Sequence, residues 1–381
     1  MIEMAKRIYF DHAATTPLDP SVIETMTQVM QQSYGNPSSI HADGRKARTL
    51  IESARKVVAN RLKCSVSEIF FTSGGTESNN TALKCAVRDL GVKRIISSQV
   101  EHHCILHSLE SLSMAGVEVV YTDVQATGEV DYAALEANLK NSDEKTLVTL
   151  MHANNELGTL NDINKIAALC EANGALFHTD TVQTIGFREI DLTKIKIDFL
   201  TGSAHKFYGP KGVGFLYING AQQIKPFIDG GSQERNMRAG TENIYGICGL
   251  AKALDLACEN MESRVSQIRK LNLHARAALS EAIEGLSFNG PATVDGGLEK
   301  VLSVNFPGSA KSEMLMLHMD IAGICASGGS ACSSGSEVGS HVIAAISKIA
   351  PVEGKPIRLS FSHTNTIEEI DYLVDKLKGL V

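Results

Sequence analysis

No run of about 18 consecutive apolar residues occurs in the 381 residues, so no helix is expected to cross a membrane. The N-terminus, MIEMAKRIYFDHAATTP, has no apolar stretch of the kind that directs secretion, and it passes at once into strand-like, turn-rich sequence. A cytoplasmic protein is expected. An excess of positive charge is also lacking, with a formal net charge of −7. Capture of nucleic acid or of an anionic membrane surface needs a basic field, so a small molecule or a protein is the expected partner. Paired CxxC spacings are missing, and the eight cysteines stand singly. That pattern fits neither a disulfide framework nor a zinc ribbon, and most of these thiols are expected reduced and buried. Internal repeats, low-complexity tracts and long linkers are absent as well.

What is present is apolar material for a sizeable core, 43% of the residues. From about residue 43 to 255, amphipathic helical segments alternate with short β-rich runs, which predicts an α/β domain with a largely parallel sheet. Helical spacing appears at Leu50, Ile51, Ala54, Val57, Val58 and Leu62, and again from Ile163 to Cys170 ahead of Gly174. Strands are expected at 69–72, 94–98, 117–121, 147–151, 176–178, 197–200 and 213–217. Several end in polar residues, where an open α/β sheet binds its ligand. After residue 258 a long charged helix, strands near 301–306 and 357–361 and a terminal helix predict a smaller α+β domain. The expected division is 15–257 against 1–14 together with 258–381.

Three clusters carry chemistry. In FTSGGTESNN (71–80) a strand meets two glycines and then a helix, so that backbone amides and the helix dipole at Gly75 and Thr76 suit a phosphate. The alternative is a plain strand-to-helix turn with Thr76 as its N-cap. The pattern is not the Walker GxxxxGK[ST]. In LFHTDTVQ, Asp180 and Gln183 follow a short strand. A carboxylate there suits the pyridine nitrogen of pyridoxal phosphate, unless Asp180 only forms a turn. In TGSAHKFYGPKGVG (201–214), Lys206 lies in a loop between apolar runs, the setting in which a desolvated amine forms a Schiff base. Ser203 and His205 are placed to bind the phosphate. Lys211, between Pro210 and Gly212, is the rival lysine and suits a solvated turn.

With YFDHAATTPLDP, GNPSSIH, the Glu101–His102 pair, MHANNELGTL, GGSQERNMRAGTEN and GGSACSS added, nine motifs in order resemble the cysteine desulfurase family that serves iron–sulfur cluster assembly. The resemblance implies a pyridoxal-phosphate transferase of fold type I, like aspartate aminotransferase. It implies that Lys206 holds the cofactor covalently, Asp180 pairs with the ring nitrogen and Gln183 bonds the ring oxygen. Gly75, Thr76, Ser203 and His205 would hold the phosphate, and Asn155 would lie near cofactor and substrate. His102 would stack on the ring and move protons. Arg358, in IRLSF, would clamp the substrate carboxylate, for which a planar guanidinium is suited; standing alone it would read as an edge-strand ion pair. Thr241 would reach the cofactor of the neighbouring subunit, so a homodimer is implied.

Cys332, in the glycine- and serine-rich CASGGSACSSGSE, would be the nucleophile that takes sulfur from L-cysteine as a persulfide and leaves L-alanine. Cys325, at the end of an apolar run, reads as inert. The sulfur would pass to an acceptor protein, such as an iron–sulfur scaffold, that the sequence does not specify. Some relatives carry a C-terminal extension that docks such a scaffold, and this chain ends at Val381. A metal at His102, His103, Cys104 and His107 is the rival to this cofactor assignment, but no HExxH or CxxC frames it, so no metal is expected and His103 and His107 read as helix residues. Selenocysteine lyase, another class-V aminotransferase and a non-catalytic scaffold of the same fold are the rival functions. Two departures stand out, Asn161 where relatives often have glutamine, and SHTNT after Arg358.

Overall fold

The computed structural model describes residues 7–308, 314–328 and 339–380. The chain runs through strand β1 (Ile8–Tyr9), helices α1 (Pro20–Gln32) and α2 (Ala42–Leu62), β2 (Ile69–Thr72), α3 (Gly75–Leu90), β3 (Arg94–Ser97), α4 (His103–Met114) and β4 (Glu118–Tyr121). Next come α5 (Tyr132–Lys140), β5 (Thr146–Thr149), α6 (Ile163–Ala172), β6 (Leu176–Asp180), β7 (Phe199–Ser203) and β8 (Gly214–Ile218). A short turn α7 (Gln233–Asn236) leads to α8 (Ile244–Glu259), α9 (Met261–Ala282), β9 (Ser287–Asn289) and β10 (Val301–Phe306). The last elements are α10 (Leu315–Ile321), β11 (Ile324–Cys325), α11 (His341–Ser347), β12 (Lys355–Ser360) and α12 (Ile367–Lys378).

Seven strands form one sheet in the order β2-β8-β7-β6-β5-β3-β4. The pairings among β7, β6, β5, β3 and β4 are parallel, as the alternating pattern predicts. Strands buried on both faces read as continuous apolar runs, and β3, β5 and β7 are buried at every residue. Strand β8 runs against both neighbours, because a short loop (204–213) joins it to β7 and leaves no room for a crossover helix. Lys206 sits in that loop. The expected strands lie within three residues of the observed ends, and 69–72 and 301–306 coincide with β2 and β10.

Helix α2 buries Ala47, Ile51, Ala54, Val58 and Leu62 at the spacing its pattern predicts. Helix α6 ends at Ala172 with Asn173 as its cap, and Gly174 follows in the left-handed conformation (φ +66°), the position where glycine commonly terminates a helix. In the second part of the chain, β9, β10 and β12 form an antiparallel sheet. Helix α12 lies against α9, starts with a capping box of Thr366 and Glu369, and buries Ile370, Leu373, Val374 and Leu377. Strand β1 returns to pair with β11, which ties the N-terminal segment to this region. Among the described residues no helix is long and apolar enough to cross a membrane.

Candidate active site

The strand order reverses between β3 and β5, and the loops beyond the carboxyl ends of these strands flank a cavity of about 270 Å³. Strand β2 delivers Gly74 and Gly75 to it. Gly74 has φ +151°, a conformation that favours glycine, and a Cβ on Gly75 would lie 2.9 Å from Val182. Gly74, not Thr76, is the N-cap of α3, and no side chain caps that end. The first-turn amides and the positive end of the dipole therefore remain available to an anion.

At the end of β6, the buried Asp180 accepts hydrogen bonds from Asn79 Nδ2 (2.7 Å) and from the backbone N–H of Val182 (2.9 Å). The second bond is the turn-forming role that a lone aspartate suggests, and the carboxylate also faces the cavity. Gln183 donates Nε2 to Ala13 O (3.0 Å), and its Oε1 is buried without a partner among the described residues. Ser203 ends β7, and the next turn carries His205 and Lys206 into the cavity. Lys206 Nζ donates to the carbonyls of Ala13 (2.6 Å) and Ala14 (2.8 Å). Burial, with Lys206 nearby, holds the His205 imidazole down at about 3, so it is neutral. Lys211 is exposed and does not line the cavity.

Helix α4 brings His102. As N-cap, its Nδ1 accepts the backbone N–H of Cys104 (3.2 Å), so the neutral ring carries its proton on Nε2. Burial lowers its pKa, with Asp180 opposing and Lys206 adding to the shift. Cys104 Sγ lies 3.1 Å from the same Nδ1 and accepts from Asn79 Nδ2 (3.2 Å), which links His102 through Cys104 and Asn79 to Asp180. Burial pushes the Cys104 thiol up to about 12, which leaves it un-ionised.

Glu101 is wholly buried, and desolvation, with Asp180 nearby, raises its carboxyl to about 8. It accepts from Met151 N (2.8 Å). The folded-state pKa exceeds the unfolded value of about 4.3, so this carboxyl's contribution to stability is greatest below about pH 4.3 and falls as pH rises toward 8, by on the order of 1 kcal/mol per pH unit. Glu101→Gln keeps the Met151 bond without that loss. Thermal unfolding should place the variant a few degrees above the parent at pH 8, with the gap closing toward pH 5; a gap independent of pH would refute the buried neutral acid.

Arg358 reaches the cavity from β12, with its guanidinium held by Asp11 (2.8 Å) and the Asn155 carbonyl (3.0 Å). It makes the ion pair that the edge-strand alternative expects, and it also lines the cavity. Nε is buried without a partner among the described residues. Asn161, the first departure, donates to Met151 O and accepts from Val130 N, so it braces the loop after β5 from outside the cavity. In the second departure, Ser362 Oγ lies 2.9 Å from the Tyr208 hydroxyl.

Gly75, Thr76, His102, Asn155 and Asp180 thus share one cavity with Gln183, Ser203, His205, Lys206 and Arg358. Thr241 does not line this cavity and is exposed; it follows a turn in which Glu234, Arg235 and Asn236 all have positive φ. A buried bidentate pair between Arg55 and Glu234 (2.6 and 2.7 Å) clamps that turn. Cys332 lies outside the described residues. Cys325 is half-buried in β11. Sequence reasoning passed over Asn79 and His341, both of which line the cavity. The glycine approach, uncapped helix end, buried carboxylate and loop lysine fit pyridoxal phosphate.

Residues 8–373 match the family model described as aminotransferase class-V. The chain is 40% identical over 380 residues to the cysteine desulfurase IscS of Dictyoglomus turgidum, covering 99% of this chain and 95% of that one. A solved NifS-like protein superposes with a TM-score of 0.89 at 37% identity, covering 98% of this chain and 99% of the other. A structure titled SspA in complex with cysteine superposes with a TM-score of 0.81 at 32% identity, over 95% of this chain and 100% of that one.

Proposed function

The chain belongs to the class-V aminotransferases and, within them, to the cysteine desulfurases; from that premise we propose how its own residues take sulfur from L-cysteine and leave L-alanine. Pyridoxal phosphate is the cofactor, and when bound it supplies an electron sink for charge developing at the substrate Cα. The observation that carries the reading is the convergence of Lys206, Asp180, Arg358 and the uncapped end of α3 on one cavity. Lys206 holds the cofactor and later takes the Cα proton on Nζ. Asp180, oriented by Asn79, keeps a proton at the ring nitrogen. Gly75, Thr76, Ser203 and neutral His205 bind the phosphate. Gln183 and Asn155 position the ring and substrate, and Arg358, preset by Asp11, receives the substrate carboxylate.

His102 would stack on the cofactor and presents Nε2–H to the cavity. Cys332 supplies the attacking thiolate and ends as the persulfide. It follows Ser327 by five residues and precedes His341 by nine. Ser327 exchanges backbone hydrogen bonds with the cavity-lining Arg358, and His341 itself lines the cavity, which supports placing Cys332 between them as the nucleophile. Thr241 serves the site of a second copy in a homodimer, consistent with its exposure and its absence from its own cavity. Residues 15–257 form the larger domain, and 1–14 with 258–381 the smaller. An acceptor protein takes the sulfur onward for iron–sulfur cluster or other thio-cofactor synthesis in the cytoplasm. The test supplies L-cysteine and L-selenocysteine separately and measures alanine. Release from L-cysteine is expected; release from selenocysteine alone would assign the chain to selenocysteine lyases.

A further inference from the structure

We propose that His341 recognises the thiol of the substrate and selects its un-ionised S–H form. The proposal rests on the desulfurase reading above and adds a specificity-determining residue to it. His341 opens α11 and lines the cavity. Its Nε2 lies 2.9 Å from the carbonyl oxygen of Glu101. A carbonyl can only accept, so Nε2 carries the proton and Nδ1 of the neutral ring is a bare lone pair. That Nδ1 is buried and has no partner among the described residues. A buried acceptor is stabilised by a ligand that donates to it.

His102 has the opposite polarity, since its Nδ1 is already filled by the Cys104 N–H. The cavity therefore offers one histidine as donor and another as acceptor. Of the three polar groups on cysteine, Arg358 suits the carboxylate and the amine belongs to the cofactor linkage. The thiol is left as the donor for Nδ1. This polarity also suits the reaction, because the substrate sulfur must be attacked as an electrophile, and a neutral thiol accepts a nucleophile far more readily than a thiolate does. A lone pair attracts S–H and repels an ionised sulfur or selenium, so selenocysteine, whose selenol is ionised at neutral pH, is disfavoured at this position.

Protonation of Nδ1 removes the acceptor, so KM for L-cysteine should rise on acidification. The titratable groups beside His341 are His102 and His103 on α4, with the His103 ring centroid 4.3 Å away, and Glu101, whose carbonyl it bonds; the His107 ring lies 5.3 Å from that of His103, and Glu156, Asp180 and Lys206 line the same cavity. The experiment follows KM and kcat of the holoenzyme across pH for the parent, His341→Phe and His341→Gln. Loss of one neutral hydrogen bond predicts a KM about fivefold higher in His341→Phe at neutral pH, with kcat changed less. Glutamine can donate to the Glu101 carbonyl and turn its amide oxygen into the cavity. It should recover most of that loss and abolish the acid-side rise in KM. A rise that persists unchanged in His341→Gln would overturn the proposal.

Should the phenylalanine variant fail to fold, 15N NMR of histidine-labelled holoenzyme decides the same point. Protonated Nε2 and bare Nδ1 at His341 are expected, and the reverse tautomer contradicts the inference. A parent enzyme that makes no alanine from L-cysteine instead refutes the desulfurase reading. Normal turnover with a pH-insensitive KM refutes only the role of His341.

Discussion

Lys206→Ala is expected to lower alanine formation from L-cysteine by at least about a thousandfold and to abolish the absorption band of a lysine-linked cofactor. The size of the effect follows from two roles on one nitrogen. On the proposed reading Nζ would anchor the cofactor and would also serve as the base for the substrate Cα proton. No other lysine lines the cavity among the described residues, and Lys211, five positions on, is exposed. The substitution leaves the Ala13 and Ala14 carbonyls without their amine donor, a modest loss at a partly exposed side chain, so circular dichroism and the unfolding temperature should stay near the parent values. A folded variant that keeps both the band and the activity would mean that Lys206 is not the anchor.

Cys332→Ala should separate cofactor chemistry from sulfur transfer. The residues assigned to the cofactor are untouched by this change, so the lysine-linked band should persist. Alanine formation should fall by at least about a hundredfold, because no other cysteine is a competent substitute. Cys104 is the one thiol among the described cavity-lining residues, and burial keeps it protonated. Cys325 belongs to β11 and pairs with Tyr9. Unreduced alanine formation in Cys332→Ala would assign the carbon–sulfur cleavage to another group and favour a different class-V reaction.

Much of this site was legible because its signals are local. FTSGGTESNN shows a strand, a glycine approach and a helix start within ten residues, and the structure differs only in placing the cap at Gly74. Asp180 and Lys206 were found from their position just past apolar runs, which is where a parallel sheet presents ligand groups. The partners of these residues were not legible, since long-range folding supplies them. Asn79 lies 101 residues from the Asp180 it orients, and Asp11 lies 347 residues from Arg358. Nothing in SHVIAAI signals that His341 would bond the Glu101 carbonyl across 240 residues, leaving Nδ1 bare. Strand ends moved by up to three residues because polar residues such as Asp180 and Ser203 continue the ladder, although composition ends the apolar run before them. The reversed β8 was missed because antiparallel pairing depends on loop length and not on strand composition.

The central claim is that Cys332 carries the sulfur. Brief exposure of the holoenzyme to L-cysteine without an acceptor, followed by mass analysis of the cysteine-containing peptides, tests it most directly. One added sulfur atom on the Cys332 peptide, matched by one alanine released per site, is the predicted result. Alanine released with no sulfur on Cys332, or with the added sulfur on Cys104, would contradict it.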